Sequence, residues 1–261
     1  VHAISDTLCA LVSLAILATK LIDKNYSISL SSFSIQKPNI DTLIIVLQQL
    51  VTPLSMAILT IIAASMGYSY VAAFALLFRL EAIFLLIPMV LTTSLPAIIG
   101  TNFWSGHIER VKQAYLLVFG LVMIAQVSIA GLLLLNSDFI ASFICPQDEV
   151  VLHLKAYLFW VPWGYMGAGC AIVYQSCLNA EGKSLQASLV GIMHRLLFLL
   201  SFTLFGTWIA TEQSFYQGIM FGHLAGGLFV FYLFYKKHLA NGHYPAWQMS
   251  KTKLMINGES K

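Results

Sequence analysis

Three ionisable side chains stand where charge is expensive. Arg79, Glu81 and Arg195 each lie well inside a run of apolar residues, and an ionised group at the centre of a membrane-spanning helix costs about 2.5–3.5 kcal/mol. Such a group needs a partner, a wet cavity, or a stem long enough to carry its head to water. Arg79 and Glu81 are two residues apart, so on a helix they do not face each other. Glu81 and Arg195 sit at similar depth, entered from opposite faces, and an ion pair between them satisfies the geometry. That pair reads either as a staple between helices or as part of a transport path. His194 and His223 also lie inside apolar runs. Neutral, hydrogen-bonded rings in a packed bundle account for both, and a proton relay is the sharper alternative because histidine titrates near physiological pH.

Other chemistries find no residues to carry them. The four cysteines, Cys9, Cys145, Cys170 and Cys177, show no CxxC spacing, and three of them read as small buried hydrophobes. No HExxH, intramembrane aspartate pair or nucleophilic serine motif occurs, so the expectation is a protein that is not an enzyme, with no cofactor and no metal site. Of the 261 residues, 59% are hydrophobic and 10% charged, against about 25% charged in an ordinary soluble domain. That composition excludes a soluble enzyme, a disordered chain and a nucleic-acid binder. The net charge of +3 is too small to argue for an anionic partner.

The elements that must hold those charges follow from hydropathy. Seven apolar segments are marked off, at about 3–22, 42–64, 68–100, 114–136, 151–178, 185–209 and 214–235, each reaching at least the ~20 residues a span needs. The third is too long for one straight crossing, and Pro88 and Pro96 are the places where it is expected to bend. Residues 23–41 are polar, contain Pro38 and read as a linker. Gly218, Gly222 and Gly226 recur every four residues, the spacing of a face where helices approach closely. The aromatic residues Tyr157, Trp160, Trp163, Tyr165 and Tyr174 gather on the fifth segment, reading as an interfacial belt or as a face for organic cations.

Basic residues set the orientation. Eleven of the 14 lysines and arginines fall on one side: Lys20, Lys24, Lys37, Arg110, Lys112, Lys183, Lys236, Lys237, Lys251, Lys253 and Lys261. The positive-inside rule makes that side cytoplasmic, with a cytoplasmic C-terminus; the plasma (bacterial inner) membrane is the expected location. Seven spans then begin outside. An exterior start at Val1 with no leader reads as part of a longer protein.

Two stretches carry a family resemblance. VAAFALLFRLEAIFLLIPMVLTTSLPAIIGTNFWSGHIER, residues 71–110, resembles the multidrug and toxic compound extrusion (MATE) transporters, where an R-(I/L)-E step and a proline turn lead into a G-Q-N-x-G-A-G-x-x-x-R loop. Arg79, Glu81, Pro88, Pro96, Gly100, Asn102, Gly106 and Arg110 fall on the pattern, while Thr101, Trp104 and Ser105 depart from it. YQSCLNAEGKSLQASLVGIMHR, residues 174–195, resembles the family's A-x-G-(K/D) loop and the span after it, through Ala180, Gly182, Lys183 and Arg195.

The resemblance implies an all-α polytopic membrane protein with a six-helix C-terminal lobe at 42–238. Residues 1–22 would be the last helix of an N-terminal lobe, 23–41 the interlobe linker and 239–261 a cytoplasmic tail. It implies a cation-coupled exporter of drugs or organic metabolites working by alternating access, with a lipid-linked oligosaccharide flippase as the alternative and a seven-span receptor fitting less well. The expected partners are a small organic solute, the bilayer and the other lobe of the same protein. Gln48, Gln49, Tyr165 and Tyr174 are the expected solute-facing residues. Some family branches place a coupling Glu in the span matching 42–64 and an Asp in that matching 151–178. Neither acid is present here, so an acid coupling to Na+ or H+ is expected in the other lobe.

Overall fold

The computed structural model describes residues 40–209 and 213–240. Within them the chain is nearly all helical: α1 (Ile40–Met66), α2 (Tyr68–Phe84), α3 (Leu86–Trp104), α4 (Ile108–Leu135), α5 (Ser137–Ile144), α6 (Asp148–Ala180), α7 (Ser184–Ile192), a π-helical segment Met193–Leu200, α8 (Ser201–Ile209), α9 (Ser214–Phe234) and a second π segment, Tyr235–Ala240. Six helical stretches among the described residues are long and apolar enough to cross a membrane. The segment at 3–22, most of the 23–41 linker and the tail after 240 lie outside the described residues.

Helix ends overrun the apolar segments where charge suits a helix terminus. Asp41 lies in the first turn of α1, and Asp148 and Glu149 in the first turn of α6, where negative charge meets the positive end of the helix dipole. The α4 helix starts six residues before its apolar run. Glu109 and Lys112, paired at 2.7 Å three residues apart, sustain that polar turn. The short α5 was not marked by hydropathy, since its eight residues are too few to span. It exposes Phe139 and Phe143, and its Asp138 is bridged to Lys155 of α6 at 2.6 Å.

The long third segment bends at one of its two prolines only. A proline removes a donor from the carbonyl four residues before it and crowds that carbonyl. For Pro88 this is Phe84, and the helix is interrupted for one residue at Leu85, while Pro96 lies inside an unbroken α3. Both orphaned carbonyls have found donors on other helices. Gln126 Nε2 of α4 donates to Phe84 O at 3.2 Å, and Ser176 Oγ of α6 donates to Thr92 O at 3.3 Å.

The α6 helix is the axis of the bundle. Two thirds (67%) of its apolar window is buried, against 17% for α1. Glycine lets α9 reach it: a Cβ on Gly167 would strike the His223 carbonyl, and one on Gly227 would strike Gly167 itself. The glycine stripe at 218, 222 and 226 serves another neighbour. Gly218 meets Phe202 and Thr203, Gly222 meets Leu199, and Gly226 makes room for the His194 ring. The apolar core is divided in two. One cluster gathers around Leu77, Leu154 and Phe215, the other around Tyr115, Phe119 and Tyr174.

Candidate functional site

Where the two core clusters meet, the bundle holds a polar cavity of about 160 Å³. Gln48 and Thr52 come from α1, Glu81 from α2, Gln175 from α6, His194 and Arg195 from the π segment, and His223 from α9. At ~1.5 Å per residue, Glu81 is about 20 Å along its span and Arg195 about 17 Å along its own, from the opposite end. Both are half-buried. They face one cavity and feel each other's charge, yet form no contact ion pair. A charged pair held apart around a cavity leaves both heads able to meet a third group.

The remaining polar groups are held in fixed positions. Gln48 Nε2 donates to Gln175 Oε1 at 3.0 Å, and Gln175 Nε2 donates to Ala171 O at 3.1 Å. A Cβ on Gly191 would sit 2.5 Å from Gln175 Oε1 and 2.8 Å from Gln48 Nε2, so glycine there is what admits the amide pair. His194 Nε2 and His223 Nδ1 lie 3.2 Å apart. One ring must donate and the other accept, which a neutral ring does and two imidazolium rings cannot. His194 and Arg195 both fall in the π segment, a wider turn that is frequent at functional sites.

Other expected residues are placed elsewhere. Arg79 is exposed on a different face of α2 and does not line the cavity, nor does the exposed Gln49. Tyr165 and Tyr174 are buried in protein rather than presented to the cavity. The Tyr165 hydroxyl is 2.6 Å from that of Tyr157, and the Tyr174 ring packs beside Tyr115 and Phe119. Burial on nearly every side of α6 is the reason: on a central helix an aromatic residue meets neighbours whichever way it points.

The two loop motifs meet at the basic end of the bundle. Each is a helix C-terminus closed by glycine in the left-handed region, Gly106 at φ 78° and Gly182 at φ 75°. In each, the glycine N–H and the next N–H bond back to the helix. Gly106 and His107 reach Phe103 and Asn102, while Gly182 and Lys183 reach Asn179 and Leu178. This is the Schellman arrangement, which favours glycine because it has no Cβ to strain. Asn102 Nδ2 donates to Ile98 O at 2.8 Å, Gly100 lies against Ala180, and Arg110 is exposed. Trp104, which departs from the motif, joins the loops: its Nε1 donates to Ala180 O at 3.2 Å and its ring covers Gly182.

Between the motifs' named positions lies a residue the sequence did not single out. Glu181 is buried, accepts from Lys237 Nζ at 2.6 Å and Lys183 Nζ at 2.8 Å, and accepts from the Tyr115 hydroxyl at 2.7 Å. Burial opposes ionisation of its carboxyl, but the ammonium groups of Lys237 and Lys183 outweigh that and hold it below the ordinary value of 4.5. In sequence a loop glutamate beside a lysine reads as solvated. Its principal partner is 56 residues away, and no local pattern announces it.

Comparison with known proteins agrees with this architecture. A transporter from Shewanella oneidensis named FAD transporter is 27% identical over 187 residues, covering 72% of this chain and 41% of that protein. The crystal structure of the Vibrio cholerae MATE transporter VcmN in its bent form superposes with a TM-score of 0.74 at 27% identity, over 88% of this chain and 53% of VcmN. A MOP superfamily transporter from Pyrococcus furiosus shares the fold, with a TM-score of 0.72 at 16% identity. The chain thus spans about half the length, or less, of the relatives it matches. The MatE family model matches residues 45–204, more than half of the sequence and the stretch that supplies both loop motifs and every lining residue of the polar cavity except His223: the chain belongs to the MatE family.

Proposed function

We propose that the protein is a cation-coupled antiporter exporting an organic metabolite, and that the cavity among Gln48, Glu81, Gln175 and Arg195 is this lobe's share of the solute path. The observation that carries the reading is that cavity itself: two opposed charges and a fixed amide pair around open space, at mid-depth in six apolar spans. A drug-sized ligand usually occupies about 300–1,000 Å³, so a cavity of about 160 Å³ takes only part of a solute. The rest of its site then lies outside the described residues, as expected when the path runs between two lobes. Arg195 across the same cavity repels a cation that approaches Glu81, which makes Glu81 a poor cation ligand and assigns ion coupling to an acid elsewhere in the full protein. The Shewanella oneidensis relative's name puts flavin adenine dinucleotide first among solutes to test.

The experiment is solute uptake into everted membrane vesicles containing the full-length protein, driven by an imposed H+ or Na+ gradient. Flavin adenine dinucleotide and ethidium serve as probes. Arg195→Ala is expected to lower transport by tenfold or more, equivalent to about 1.4 kcal/mol, while Arg79→Ala leaves it near the parent's rate. Glu81→Gln is expected to slow transport without changing which ion drives it. Parent-like transport by Arg195→Ala and Glu81→Gln at equal yield overturns the assignment of the cavity.

A further inference from the structure

A second opening lies away from the polar cavity, at the basic end of the bundle. Between α7 with its π segment and the C-terminal half of α9 runs a groove of about 460 Å³. Its walls include Leu189, Phe229 and Leu233, and its mouth carries Lys183, Lys236 and Lys237. The order of these residues along the helices gives the groove a polarity. Phe229 and Leu233 precede Lys236 by seven and three residues, which at ~1.5 Å per residue puts them about 10 Å and 5 Å deeper. Leu189, six residues after Lys183, lies about 9 Å deeper on the facing wall. Apolar surface therefore descends from a ring of charge, on helices apolar enough to cross a bilayer.

The charge at the mouth is unbalanced. Lys183 and Lys237 share the single carboxylate of Glu181. Lys236 is exposed, and none of the carboxylates among the described residues pairs with it. Three ammonium groups against one carboxylate leave an excess of two positive charges. A soluble anion would use the lysines and waste the walls, whereas a zwitterionic lipid would use the walls and gain little from the lysines. A ligand with a phosphate anion at one end and a hydrocarbon chain at the other uses both.

We propose that this groove binds an anionic phospholipid of the surrounding membrane, with the headgroup phosphate at Lys236 and Lys237 and one acyl chain along Leu189, Phe229 and Leu233. Glu181 has a second task in this arrangement: by pairing with Lys237 and Lys183 it keeps the mouth of the groove in one shape. The site is separate from the polar cavity, and its test does not require transport.

Native mass spectrometry of the full-length protein in detergent, titrated with phosphatidylglycerol or phosphatidylcholine of matched acyl chains, measures the binding. The parent is expected to bind phosphatidylglycerol more tightly. Lys236→Gln should weaken it about fivefold, the loss expected for one basic residue at an anionic lipid surface, and Lys236→Glu about twenty-five-fold. Phosphatidylcholine affinity should not move in either variant. Leu189→Trp, which fills the groove from an exposed position, should lower phosphatidylglycerol affinity without altering the lysines. Arg110→Gln, exposed outside the groove, serves as the control and should bind like the parent. Displacement of the lipid by inorganic phosphate would show a simple anion site and overturn the proposal. So would equal loss in Arg110→Gln and Lys236→Gln, or unchanged affinity in both Lys236→Gln and Leu189→Trp.

Discussion

Replacing Glu181 by glutamine is the sharpest perturbation of this helical bundle. The carboxylate has no exposed side-chain surface, while Lys183 and Lys237 keep 20% and 21% of theirs. Glutamine preserves the volume but removes the charge, and its amide turns a donor toward groups that are themselves donors. Stranding a fully buried charge costs about 3–5 kcal/mol. Here each lysine keeps a fifth of its surface in solvent and can swing its head outward, so the loss falls to about 2–3 kcal/mol. For a domain of this size that corresponds to a fall in melting temperature of about 4–12 °C. Tyr115→Phe removes only the hydroxyl hydrogen bond to the same carboxylate and should lose about 1.5 kcal/mol.

The structure supplies its own reporter. Cys170 and Cys177 are both buried, on the stretch of α6 that leads to Glu181, so a thiol-reactive fluorogenic maleimide registers the opening of this part of the bundle. With Cys9 and Cys145 changed to serine in the full-length protein, dye incorporation on heating should start earlier in Glu181→Gln, to a lesser degree in Tyr115→Phe, and not at all in Lys236→Gln. A Glu181→Gln protein that melts with its parent would refute the reasoning, because it would mean that water already carries the charge of this cluster.

The pH dependence of the same cluster has a fixed sign. Since the Glu181 carboxyl is held below its ordinary 4.5, its stabilisation is complete above that value and is lost as pH falls through the lower folded value; the parent's acid-induced fall in melting temperature should shrink in Glu181→Gln. Gly167→Ala would drive a methyl into the His223 carbonyl, a backbone clash no rotamer relieves, and should lose about 1–3 kcal/mol and folded yield, read by detergent size-exclusion chromatography. Gln126→Leu leaves the Phe84 carbonyl without its donor and should lose about 1–3 kcal/mol, measured by the same maleimide melt.

What the sequence made legible is what has a one-dimensional signature. Six spans were visible because each is a continuous apolar run, and the glycines at 218, 222 and 226 because their spacing alone marks a close helix face. Glu81 and Arg195 were visible because a charge inside such a run is costly, and the fold brings them to one cavity. Arg79 carried the same signal but lies outside the cavity: its long stem lets it sit on an exposed face, which sequence does not distinguish from an inward one. Gln48 is among the expected residues and lines the cavity, whereas Gln175 owes its place to a pairing with Gln48 across 127 residues, which no local pattern announces. Tyr165 and Tyr174 drew attention as aromatics, yet α6 is enclosed on most sides and its aromatic residues fill the core. Glu181 was hidden because its meaning depends on Lys237 and Tyr115, each more than fifty residues distant.

The prolines show how the fold turns weak points into fixed ones. In a membrane no water is at hand to satisfy a carbonyl that a proline has stripped of its donor, so the orphan must be met by protein or left at a cost. Gln126 meets the one behind Pro88 and Ser176 the one behind Pro96. Each donor comes from a neighbouring helix, α4 at the break before Pro88 and α6 beside the unbroken turn at Pro96. A bend tied across two helices is not a free hinge: opening it would break the side-chain bond and re-expose the carbonyl together. The close α6–α9 approach at Gly167 and Gly227 adds a second constraint, since backbones in contact cannot slide without a clash. The Glu181 cluster fixes the basic end in the same way. The bundle is thus tied at its one interrupted span, along its axis and at its basic end, and deforming it internally means breaking at least one of these ties.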